Sequence, residues 1–133
     1  MIKKIAIILG VLLVLISFLA ITANPLVGKY GIFYTDFAHN MIHLISGVAL
    51  LYIIFQHEKI LLITLRIFGF IYLALAVIGA ITTDSAEQGN VLGFFVANGA
   101  DHILHLAVGL VFVVLGTKTI RMPEENIEEE YNP

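Results

Sequence analysis

"DFAHNMIHLISG", residues 36–47, puts two histidines and an asparagine at the head of a long apolar run, directly after an aspartate. In a helix, His39 and His43 share one face at i,i+4, and Asn40 joins His43 at i,i+3. Polar groups of this kind are costly against lipid, so this face is expected to point at protein and to find partners there.

The same pattern returns later in the chain. A shift of 62 residues lays "AHNMIHLISG" (38–47) on "ADHILHLAVG" (100–109), with the alanines, His43 and His105, Leu44 and Leu106, and Gly47 and Gly109 coinciding. Asp36 aligns with Asn98, and each suits the N-cap of the helix that follows. Gly10 matches Gly69 more weakly, as do the "IT" pairs at 21–22 and 81–82. The spacing predicts two tandem helical hairpins, related by a pseudo-two-fold axis along a membrane normal.

Composition requires the membrane. Of 133 residues, 59% are hydrophobic and only 13% charged, with a mean hydropathy of +0.98, too little polar surface to cover a water-soluble domain of this size. Spans are expected at about 5–23, 36–56, 60–82 and 98–117, each near the roughly 20 residues that cross hydrocarbon. The expected fold is an all-α membrane protein: one transmembrane domain over 1–119, an up-down-up-down bundle of four helices. Residues 120–133 read as an acidic, disordered cytoplasmic tail, because five of the ten acidic residues lie in "EENIEEEYNP".

Lys3, Lys4, Lys59, Arg66, Lys118 and Arg121 flank one side of these spans and only Lys29 the other. The positive-inside rule then predicts a multi-pass protein of the cell membrane with both termini cytoplasmic. A cleaved signal peptide is the rival reading of 5–23, but its apolar stretch is long for a signal core and the repeat requires it. The connections 24–35 and 82–97 carry Pro, Gly and Asn breakers, with Phe33, Tyr34, Phe94 and Phe95 expected as aromatic anchors at the interface. Arg66 is expected to snorkel to the cytoplasmic face.

Both polar tetrads fall on helices that start at the outer surface, roughly 4 to 11 Å below their caps at 1.5 Å rise per residue. His39, Asn40 and His43 are expected to meet Asp101, His102 and His105, with His39 opposite Asp101 and Asn40 opposite His102. Asp36 and Asn98 support the cluster as caps. Gly47 and Gly109, one turn deeper, let neighbouring helices approach closely.

The motifs HN-x-x-HL-x-x-G and AD-x-x-x-HL-x-x-G, each opening a transmembrane helix, resemble an uncharacterised bacterial family of small four-helix membrane proteins known as a domain of unknown function. The resemblance covers all four spans and omits the acidic tail. It implies a fold and no activity. His102 stands where that family more often has asparagine, so the resemblance does not imply a four-histidine site.

Function is bounded more by exclusion. With no cysteine there is neither a disulfide nor a thiolate site. No catalytic constellation is recognised, and no basic patch exists to bind nucleic acid. First among the remaining readings is a hydrogen-bonded clasp between helices two and four, in a scaffold or partner-binding protein. The alternative is a transition-metal site for Zn, Fe, Cu or Mn, with His39, His43, His102, His105 and Asp101 as candidate ligands. Haem held by His43 and His105, and proton or ion transport, rank lower, because the helices run apolar below the two glycines. The lipid bilayer is the expected partner, with a second copy or another membrane protein as further candidates.

Overall fold

The computed structural model describes residues 1–22, 24–83 and 88–118, so the acidic tail lies outside the described residues. Four helices dominate: α1 (Ile2–Leu19), α2 (Phe37–Ile53), α3 (Glu58–Thr82) and α4 (Gly99–Gly116). Three of them, α1, α3 and α4, are long and apolar enough to cross a membrane. The fourth, α2, is shorter by that measure, and its last turn tightens into i→i+3 bonds, Phe55 N donating to Tyr52 O and Gln56 N to Ile53 O.

α1 packs closely on α2 and α3 on α4, while α2 and α3 meet over a much smaller contact. Small residues set the spacing. A Cβ on Gly47 would stand 2.9 Å from the backbone oxygen of Gly10, and one on Gly69 would stand 3.0 Å from that of Gly109. Nothing larger than hydrogen fits where backbone faces backbone at that distance. Beyond the glycines the core is apolar, built from Leu50, Leu61, Leu65, Phe112 and Leu115. Arg66 does not simply extend to solvent: its Nε donates to Gly116 O at 2.6 Å, closing an unpaired carbonyl at the end of α4.

The all-α expectation needs one correction, because the connection before α4 contains a β-hairpin. Its strands, β1 (Gly89–Val91) and β2 (Phe95–Ala97), pair antiparallel with Val91 opposite Phe95. Leu92 and Gly93 turn the chain at φ 56° and 77°, and Phe94 N donates to Val91 O at 3.0 Å. Two central residues at positive φ match the twist of a right-handed hairpin. Leucine rarely adopts that conformation, so "VLGF" carries no hairpin signature comparable to Asn-Gly.

The hairpin folds inward. Val91, Phe95 and Ala97 are buried against Ala38 and Ile42 of α2 and Leu75 and Ile78 of α3. Phe95 is therefore core and not an interfacial anchor, whereas Phe94 is 79% exposed. The first connection is ordered by Asn24, whose Oδ1 accepts from Leu26 N and Val27 N and whose Nδ2 donates to Leu19 O and Val27 O. Both connections cover the same end of the helices.

Candidate metal centre

Two caps place the histidines. Asp36 caps α2, its Oδ1 accepting from His39 N at 2.8 Å, and Asn98 caps α4, its Oδ1 accepting from Asp101 N at 3.1 Å. Asp101 returns the bond by accepting from Asn98 N at 2.8 Å, which completes a capping box. Each carboxylate also reaches across to the other connection. Asp36 Oδ2 accepts from Val96 N at 2.9 Å, and Asp101 Oδ2 accepts from Tyr34 N at 3.1 Å.

The carbonyls of those same two residues face one ring. His39 Nδ1 lies 3.1 Å from Tyr34 O and 3.1 Å from Val96 O. Carbonyl oxygens only accept, so Nδ1 carries the proton, and in neutral His39 the Nε2 lone pair is left free. Phe95 covers the ring at a centroid distance of 4.8 Å.

That lone pair points into a group of three. His39 Nε2 is 3.2 Å from His105 Nε2, and His43 Nε2 is 3.3 Å from the same atom. Ligand atoms from all three residues lie within 4.8 Å of one another, and all three side chains are buried. A neutral network satisfies this triangle poorly, because one proton on His105 Nε2 has to serve two acceptors. A cation bound by nitrogen at 2.0 to 2.1 Å in tetrahedral geometry spaces its ligand atoms at about 3.3 Å. Both short edges match that value.

His102 is elsewhere. Thr83 Oγ1 donates its only proton to Gly79 O at 2.9 Å, so the 2.7 Å contact with His102 Nε2 has the imidazole N–H donating to the hydroxyl. The ring lies over Gly79, in the space that a side chain there would fill. Asp101 is likewise outside the group of three, its Oδ2 engaged by two amides. Asn40 is buried, but among the described residues its Oδ1 finds no partner, and it does not meet His102. Its backbone oxygen lies 3.4 Å from Ser17 Oγ of α1, whose single proton goes to Leu13 O at 2.8 Å.

Tyr72 and Thr83 belong to this region and carry no motif that marks them in the sequence. Tyr72 is 1% exposed, stacks on His43 at 6.3 Å and meets His105 edge-on at 5.4 Å. Its hydroxyl has no hydrogen-bond partner, although Ser46 is a nearby hydroxyl. The polar positions of the aligned repeat lie at the starts of α2 and α4, so nothing in the sequence distinguishes a tyrosine in the middle of α3. Axial haem ligation does not fit, because Nε2 atoms 3.3 Å apart leave no space for a macrocycle between His43 and His105.

No curated protein and no solved structure matches this chain. A family model does, over residues 3–118, which takes in all four helices, both connections and every residue of the histidine group: the chain belongs to the family described as Domain of unknown function (DUF4383).

Proposed function

We propose that this chain is a polytopic integral membrane protein whose His39, His43 and His105 hold a transition-metal ion in the half of the bilayer nearer the two long connections. The observation that carries the reading is the convergence of three Nε2 atoms, with edges of 3.2 and 3.3 Å, in a buried setting where one proton cannot serve every contact. The two carbonyls on His39 Nδ1 act as the outer contacts that hold a metal-binding imidazole in one tautomer. Imidazole ligands without thiolate suit zinc, iron or copper. Three protein nitrogens leave a coordination position for an exogenous ligand, as in zinc sites that bind water or substrate.

Within this reading α2 is the fourth span, the helices run up-down-up-down as two tandem hairpins, and both termini lie on the cytoplasmic side. The matching contacts of Gly10 with Gly47 and of Gly69 with Gly109 support the tandem arrangement.

A second reading has one observation in its favour. Asp36, Asp101 and His39 already tie the two long connections together without any ion, so the same residues serve as a structural clasp in a scaffold protein. Elemental analysis separates the two. Protein purified in detergent and dialysed against a weak chelator retains about one metal equivalent, and the His43→Ala/His105→Ala variant retains none, if the site is a metal centre. Absence of metal from the wild-type protein even after reloading, with His43→Gln as stable as the parent, would leave the clasp.

A further inference from the structure

α1 and α4 lack the packed seam that joins α1 to α2 and α3 to α4. A cavity of about 90 Å³ occupies the space between them. Leu12 and Leu13 of α1 and Leu104 and Val108 of α4 are among the residues that line it, together with His43, Tyr72 and His105. Its accessible wall is entirely apolar. It thus touches two of the three histidines through their ring carbons, on the side away from the hydrogen-bonded connections above them.

We infer that this cavity binds a small uncharged molecule of the dioxygen and nitric oxide class, admitted from the lipid between α1 and α4 to the histidine group. Size limits the occupant. An apolar cavity of about 150 Å³ holds a benzene ring, stays dry and takes up xenon. The space here is smaller, so a quinone or other ring-bearing ligand does not fit, and water finds no polar surface to bond. An ion is excluded by the same wall, since an unpaired charge in hydrocarbon is prohibitively costly. Diatomic gases dissolve in the bilayer and need no hydrogen bond. The inference rests on the metal reading for what the molecule meets at the inner wall, while occupation of the cavity itself needs no metal.

The experiment keeps those two parts separate. In nanodiscs, ¹³C-methyl signals of Leu104 and Val108 in the metal-free protein are followed under xenon pressure, with exposed Leu110 and Val114 of α4 as references. A saturable shift confined to the first pair is expected. It is abolished by Val108→Phe and by Leu12→Phe, two separate ways to fill the space from α4 and from α1. Iron(II)-loaded wild-type protein is then expected to give the electron paramagnetic resonance signal of an iron nitrosyl with nitric oxide, and the filled variants to lose it while keeping their iron. A xenon response no larger than that of the references would overturn the inference. So would broadening of the Leu104 and Val108 methyls by a spin label near the acyl terminus without any xenon response, which would give the cavity to a lipid chain. Failure to bind iron, zinc or copper alongside an intact xenon shift would refute the metal reading and uphold the cavity.

Discussion

The two histidine pairs start from similar positions and end differently. On α2, His39 and His43 both turn into the group of three; on α4, only His105 does, and His102 turns to Thr83 of α3. Spacing does not explain this, because i,i+4 and i,i+3 both keep side chains on one face. The surroundings do. His39 is offered two carbonyls and an aromatic lid, whereas His102 is offered a hydroxyl and the bare backbone of Gly79. A polar side chain in an apolar bundle goes to the nearest group that satisfies it. The consequence is an asymmetric site built on nearly symmetric sequence.

Removing His105 breaks that difference most severely, since its Nε2 makes both short contacts. His105→Ala is expected to reduce bound metal from about one equivalent to none, measured by elemental analysis, while His102→Ala leaves it unchanged. Equal loss in both variants would return His102 to the site.

The glycines below the histidines should matter nearly as much to stability. Gly47→Leu forces a side chain against the Gly10 carbonyl, and overpacking of that kind costs about 2 kcal/mol. The variant should unfold at a lower mole fraction of sodium dodecyl sulfate than the parent. Unchanged unfolding would mean that α1 and α2 do not meet at these residues.

Asp36→Ala removes a cap and the bond to Val96 N together. Loss of a cap costs about 1 kcal/mol, so a fall in melting temperature is expected, with faster amide exchange at Val96. If the exchange is unaltered, the two connections are not held together by this carboxylate.

The smallest effect sharpens the comparison. Thr83→Val leaves His102 Nε2 without its acceptor, and interhelical hydrogen bonds in membranes contribute about 0.6 kcal/mol on average. The His102 ring resonances should shift while those of His39, His43 and His105 stay in place. Movement of all four would imply one continuous network.

Legibility divides along the same line. Local chemistry was readable: Asp36 and Asn98, each ahead of an apolar run, cap the helices that follow, and glycine a turn below a histidine marks a close approach. The expected pairings of His39 with Asp101 and of Asn40 with His102 do not form, because alignment reports equivalent positions and not the space around them. Phe95 looked like its exposed neighbour Phe94, but a turn through Leu92 at positive φ aims it inward. Tyr72 and Thr83 were silent because neither stands in a pattern of its own; each matters only through the histidine that α2 or α4 brings to it.

The amino-acid order alone determined that helices would form, where α2 and α4 would begin, and which of their faces would carry polar groups, since capping, periodicity and hydrophobicity act over a few residues. Only the tertiary structure decided that three imidazoles meet and a fourth does not. That choice depends on carbonyls, a hydroxyl and an aromatic ring contributed by segments remote in sequence, whose positions no local rule encodes.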